Sequence, residues 1–199
     1  MRILVVGGNG TIGKRICEAL KEEHEVIIAS RNSGDVQVDI TDSASIKTMF
    51  QSIYTVDAIV SVAGEAKWAS FSELSEEDYY IGIRSKLMGQ VNLARMGLDY
   101  LSDGGSITLT TGILADHPVL KTSSAAMVNG AIHSFVKASA LEIKHARINA
   151  VSLGMVEDAY EKYHYYFPGH NTVPNKRVVN AFLKSILGAE TGSIIIDYP

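Results

Sequence analysis

RILVV at Arg2 to Val6 runs directly into GGNGTIG at Gly7 to Gly13, and this junction decides the fold. A short apolar run ending in paired glycines reads as a strand buried on both faces. Residues 12 to 22 follow with Ile12, Ile16, Ala19 and Leu20 at helical spacing and Lys14, Arg15, Glu18 and Lys21 opposite, an amphipathic helix. Gly7, Gly10 and Gly13 therefore sit between a strand and a helix. There glycines permit a tight turn, close approach by a pyrophosphate and close helix–strand packing, while the free N–H groups of the helix N-terminus attract an anion. The turn residues Asn9, Thr11 and Ile12 join the three glycines as expected contacts of a dinucleotide. The alternative is a purely structural turn.

The pattern then repeats. Strands are expected at Val26 to Ala29, Val36 to Val38, Ala58 to Val62, Ser106 to Thr110, Ile148 to Val151 and Ser193 to Asp197. Helices are expected at Ser43 to Ser52, with Thr41 and Asp42 as N-cap candidates, and at about Glu73 to Leu101, Ser123 to His145 and Asn175 to Leu187. Strands separated by helices of this length need crossover connections, so the sequence predicts an α/β, doubly wound, mainly parallel seven-stranded sheet with helices on both faces. Residues 155 to 174, MVEDAYEKYHYYFPGHNTVP, resist assignment, and a long loop inside a compact domain is usually functional or mobile.

Composition narrows the function. The chain has 199 residues, 46% apolar and 20% charged, with 17 Gly and 4 Pro, the profile of one globular domain spanning 1–199. No apolar run is long enough to span a bilayer, and 18 basic against 22 acidic residues with no basic cluster argue against nucleic acid as a partner. The lone Cys17 and a short N-terminal apolar run before glycine point to a reducing, cytoplasmic setting. Cys17 reads as a small buried hydrophobe, the six histidines lack metal-ligand spacing, and Ser123 and Ser124 read as helix caps. No metal is expected.

After the second strand, where a NAD site would carry an acid for the ribose 2′-OH, the chain reads Ala29-Ser30-Arg31-Asn32. Ser30 and Arg31 suit a 2′-phosphate, favouring NADP(H) over NAD(H), unless Arg31 is merely a solvated strand-end charge. Asp39 and Ile40, after the third strand, are placed to face the adenine.

With these residues in view, the chain resembles the short-chain dehydrogenase/reductase family, a Rossmann-like group, over essentially its whole length. GGNGTIG is similar to the family's cofactor turn, VDIT around Asp39 to its adenine segment, and SVAG at Ser61 to Gly64, including Ala63 and Gly64, to its Asn-Asn-Ala-Gly motif. ALE at 140–142, RINAVSLG at 147–154 and TGSIIID at 191–197 resemble later landmarks. The resemblance implies a nicotinamide-dependent oxidoreductase acting on a small molecule, a homodimer or homotetramer built on the long helices, and a substrate lid at 155–174.

It also implies an active site of Tyr, Lys, Ser and Asn, and each position is substituted here. The Tyr position falls on Ala125, the Lys position on Asn129, the Ser position on Gly112 beside Thr110 and Thr111, and the Asn position on Lys86; Leu153 replaces a proline. Lys86 and Asn129 read either as an exchange of one ammonium and one amide between two helices or as unrelated drift with Lys86 in solvent. Lys86, Thr111 and Asn129 are the catalytic candidates, and Tyr160, Tyr163, Tyr165 and Tyr166 are possible replacement acids. Trp68 and Phe71 are candidate walls of the substrate pocket. Two functions remain open: an NADP(H)-dependent oxidoreductase on an unknown carbonyl or alcohol with a non-standard site, and a catalytically inactive NADP(H)-binding sensor or regulatory module.

Overall fold

The computed structural model describes residues 1–198. Seven strands form one sheet in the order β3-β2-β1-β4-β5-β6-β7: β1 Arg2–Val6, β2 Glu25–Ser30, β3 Val36–Gln37, β4 Val56–Ser61, β5 Leu101–Gly112, β6 Ala146–Leu153 and β7 Ile194–Asp197. Every pairing is parallel, so the expected mainly parallel sheet is wholly parallel. Strand order reverses between β1 and β4, the place where open α/β sheets leave a crevice at their carboxyl ends. There Val6 pairs with both Ala29 and Ser61.

Residues alternate across the sheet with period two, and each face has its own core. Leu4, Val6, Ile59, Ile107 and Leu109 pack against α2 (Ser43–Ile53), α4 (Met88–Gly97) and α5 (Ser123–Glu142) through Phe50, Leu93 and Ile132. Ile3, Val5, Ala58 and Val60 pack against α1 (Thr11–Leu20) and α7 (Asn175–Leu187) through Ile16, Leu20, Phe182 and Ile186. Cys17 is buried in this second core, as a small hydrophobe would be. No helix of the described residues is long and apolar enough to cross a membrane.

Several local readings change. The helix expected over Glu73 to Leu101 is broken into α3 (Glu76–Gly82), a π-turn (Ile83–Leu87), α4 and a 3₁₀ turn (Leu98–Tyr100). Ser75 begins it with a reciprocal capping box to Asp78. Asp42, not Thr41, caps α2 by accepting from the Ala44 N–H at 2.8 Å. Ser123 and Ser124 do not cap α5: Thr122 occupies the cap, Ser123 meets the Tyr79 hydroxyl at 3.0 Å, and Ser124 is buried without a partner among the described residues. Residues 155–174 are ordered into short turns around α6 (Tyr160–Tyr163), closed at the base by a Val156–Val173 bridge.

Candidate functional site

The glycine turn is built by contact. Gly7 has φ +88°, donates its N–H to the Ala29 carbonyl at 2.8 Å, and accepts from the Gly10 N–H at 2.9 Å. A Cβ on Gly7 would stand 2.9 Å from the Val62 carbonyl carbon, and one on Gly13 would overlap the Gly7 oxygen and sit 2.7 Å from the Gly8 Cα. Strand, turn and helix are thus as close as backbones allow. Gly10 is the N-cap of α1 with no side chain to occupy the helix's first N–H groups, and the first turn holds no acid. Such an opening suits a pyrophosphate. Thr11 is exposed beside it and Ile12 half-buried.

Asn9 ties the turn to the end of β2, its Nδ2 donating to Ser33 Oγ at 2.9 Å and lying 3.4 Å from Ser30 Oγ. Arg31 Nε stands 3.9 Å from Asp39 Oδ2, an exposed pair of little energetic weight. Asp39 is held below the usual carboxylate range mainly by the N–H and hydroxyl of Thr41, at 2.9 and 2.7 Å, with Arg31 adding to the effect. Gly7, Ser30, Arg31, Ile40, Ala63 and Gly64 line one cavity of about 250 Å³. Six of the expected cofactor residues thus share this cavity, Ile12 lines the neighbouring one, and Asn9, Gly10, Thr11, Gly13 and Asp39 line neither.

A second cavity of about 440 Å³ adjoins it, with Gly64 common to both. Lys86, Thr111 and Asn129 all line it, as do Gly112 and Ala125. Lys86 lies on the π-turn, which presses its Cα so close to Gly64 (φ +119°) that a Cβ on the glycine would come within 2.8 Å. Gln90, fully buried, holds the turn: its Nε2 donates to the Lys86 carbonyl at 3.1 Å and the Thr110 carbonyl at 3.0 Å, while its Oε1 accepts from the Thr110 N–H at 2.8 Å. Lys86 is half-buried, which overturns the reading of it as a solvent charge. Burial pushes its ammonium down to about 8, and among the described residues no carboxylate pairs with it. Asn129 is 4% exposed, and its Oδ1 has no partner among the described residues.

Thr111 is not a free hydroxyl. Its Oγ1 lies 2.8 Å from Nε2 of His133, a buried residue of α5 that reads from sequence as an ordinary helix position. Burial lowers the His133 pKa, Lys137 adds to this, and Asp116 opposes it. Of the four candidate tyrosines, Tyr163 alone lines the larger cavity. Its ring packs 5.2 Å from Trp68, which with Phe167 forms an aromatic wall. Tyr166 packs edge-on against Trp68, and Tyr160 and Tyr165 are exposed. Phe71, 79% exposed, walls nothing, contrary to the expectation for it. Asp158, at the base of 155–174, meets Arg15 Nε of α1 at 2.8 Å, so this segment is anchored to the helix that carries the glycine turn.

An unpaired ammonium at this depth opposes folding. Its folded pKa lies below its ordinary value of 10.5, so the unfolded state binds more protons between about pH 8 and 10.5 and stability from this group rises with pH across that window. Lys86→Met is expected to stabilise the protein by about 1 kcal/mol at neutral pH, discounted for partial exposure. Urea denaturation checks this, and a less stable variant contradicts it.

A wholly parallel, doubly wound sheet with a glycine cradle at its switch point defines a dinucleotide-binding class of fold. A family model described as Enoyl-(Acyl carrier protein) reductase matches residues 7–187. The chain is 24% identical over 204 residues to the hydroxynaphthalene reductase-like protein Arp2 of Metarhizium brunneum, covering 88% of this chain and 76% of that one. It is 45% identical to the crystal structure of the protein lin1944 of Listeria innocua, with a TM-score of 0.98 over 100% of both chains. It is 28% identical to a small-chain dehydrogenase solved in complex with NADPH, with a TM-score of 0.89 over 100% of this chain and 96% of that one. The chain belongs to the short-chain dehydrogenase/reductase family, and its fold is the one with which those oxidoreductases bind a nicotinamide cofactor.

Proposed function

We propose that residues 1–199 act as one NAD(P)-binding domain that holds NADP(H) in the glycine cradle and reduces or oxidises a small carbonyl or alcohol with a non-standard set of side chains. The reading rests on one observation: Lys86 and Asn129 line the same cavity, beside the cradle, with neither an anion on the ammonium nor a donor on the amide oxygen. An exchanged pair accounts for an ammonium and an amide lining one cavity.

When bound, the nicotinamide supplies or accepts hydride. The residues do the rest. The N–H groups at the start of α1, with Gly7, Gly10 and Gly13, fit the pyrophosphate, Arg31 and Ser30 fit a 2′-phosphate, and Asp39 and Ile40 flank the adenine. Asn129 Oδ1 accepts from a ribose hydroxyl, and Lys86 presents positive charge to the substrate oxygen, where its partial burial strengthens the interaction. Thr111 and His133 fix the cavity wall. Trp68, Tyr163 and Phe167 exclude water, with 155–174 as the substrate lid. The same reading makes the protein a cytoplasmic homodimer or homotetramer packed through α4 and α5.

A second reading, a non-catalytic NADP(H)-binding module, is favoured by Ala125, which offers no proton where the resemblance places the phenol. Titration with NADPH and NADH, followed by a carbonyl panel on wild type and Lys86→Ala, separates the two. Turnover lost in Lys86→Ala supports rewired catalysis, and tight NADPH binding without turnover supports the module. Arg31→Ala is expected to weaken NADPH binding about tenfold while leaving NADH unchanged, as for a lost charge-assisted phosphate contact. An unchanged NADPH-to-NADH ratio contradicts the assignment.

A further inference from the structure

The geometry points to Lys86 as the general acid and base of the site, its ammonium donating to the substrate oxygen in place of the phenol missing at Ala125; this rests on the oxidoreductase reading above. The cavity narrows the choice of donor. Thr111 Oγ1 is hydrogen-bonded to His133 Nε2, and burial disfavours the charged imidazole, so that pair is a poor proton source. Asn129 and Ala125 have no acidic proton, and Glu65 and Lys162 are exposed cavity residues. Tyr163 sits on the lid with its ring against Trp68 and the Lys162 ammonium 5.0 Å above it. Lys86 alone is cationic, half-buried and fixed from the backbone, by Gln90 on one side and Gly64 on the other.

The π-turn is the local device. An extra residue in a helical turn rotates the following side chain out of register, and such turns occur disproportionately at functional sites. Arg84, on the same turn, faces Glu77 at 3.6 Å, so the turn divides one cation for the surface from one for the cavity. The titratable groups that share the cavity with Lys86 are Glu65 after β4 and Lys162 and Tyr163 of the lid, with His133 of α5 bonded to the lining residue Thr111; burial alone accounts for the lowered Lys86 pKa. A pKa of about 8 is near that of an efficient proton donor at neutral pH.

In the reductive direction the carbonyl carbon receives hydride from the reduced nicotinamide dinucleotide. The C=O π pair moves onto oxygen, and that oxygen takes a proton from Lys86 Nζ. The products are the alcohol, the oxidised dinucleotide and a neutral Lys86 amine, which solvent reprotonates. Reduction therefore falls as pH rises through about 8, and oxidation rises.

Two measurements test this on the full chain. Acetic anhydride labelling as a function of pH, read by mass spectrometry, needs neither substrate nor cofactor; Lys86 is expected to gain reactivity at a midpoint near 8, well below surface lysines at about 10.4. Lys86→Arg keeps the charge but cannot release a proton. It is expected to bind NADPH as wild type does, to lose about 10²- to 10⁴-fold in hydride transfer, and to lose the limb near pH 8. Lys86→Arg retaining both rate and limb, a Lys86 midpoint among the surface lysines, or bound NADPH with no turnover on any carbonyl overturns the donor role. NADPH failing to bind at all overturns the oxidoreductase reading beneath it, so the two failures are distinct.

Discussion

Gly13→Ala is expected to abolish dinucleotide binding and to destabilise the chain by about 3 kcal/mol, the scale of overpacking a closed contact. One methyl is enough because it would occupy the space of the Gly7 carbonyl oxygen and press on the Gly8 Cα at 2.7 Å. Neither neighbour is a flexible side chain that can swing away. The Gly7 carbonyl is itself fixed, since it accepts the Gly10 N–H at 2.9 Å. Relief must come from α1 moving off β1, which opens the cradle and separates Ile16 and Leu20 from Ile3 and Val5. NADPH fluorescence titration and thermal denaturation check the two effects. A variant that binds and melts like wild type contradicts the close-packed cradle.

Gln90→Leu is expected to have the second largest effect, and to reach the site without touching it. The substitution keeps the volume but strips three hydrogen bonds from the Lys86 carbonyl, the Thr110 carbonyl and the Thr110 N–H, at a position with no solvent to replace them. Orphaning buried backbone groups costs about 1–3 kcal/mol each when water cannot reach them, and about 3 kcal/mol in all is expected after local relaxation. For a chain of this size that lowers Tm by about 6–12 °C. Freed of its anchor, the π-turn relaxes towards α-helix, Lys86 rotates away from the cavity, and its labelling midpoint moves up towards that of surface lysines. A variant that melts normally, or one that leaves the Lys86 midpoint unchanged, contradicts the anchoring role of Gln90.

The cradle was legible because its signal is local: an apolar run, glycines at fixed offsets and an amphipathic helix all fall within one short segment. The doubly wound sheet followed from alternation alone, and the last helix, expected at about Asn175 to Leu187, spans Asn175–Leu187, its apolar stripe bounded by Pro174 and Gly188. The π-turn was hidden because an inserted helical residue has no composition of its own; only the three-dimensional closeness of Gly64 to Lys86 reveals it. The Thr111–His133 pair spans 22 positions and joins a strand to a helix, a contact that no periodicity encodes. His133 carried no signal beyond being a polar residue at a helix position where its neighbours Ile132 and Val136 are buried. Phe71 misled because an aromatic residue after SVAG fits a pocket wall, yet the loop turns it outward while Trp68, three residues earlier, turns in.

Lys86 and Asn129 form an intermediate case. Neither the ammonium nor the amide suggests the other in isolation, and they became a pair only through the positions that the family resemblance gave them. Their shared cavity gives that pairing physical content, and the rings of Trp68 and Tyr163 line the same cavity.

The central claim is that the glycine cradle still holds a dinucleotide next to a site whose phenol has gone. Isothermal calorimetry of the wild-type chain with NADPH tests it most directly. The account predicts saturable heat at one site per chain with a Kd of about micromolar or tighter; an undetectable heat at protein and ligand concentrations well above that range would contradict it.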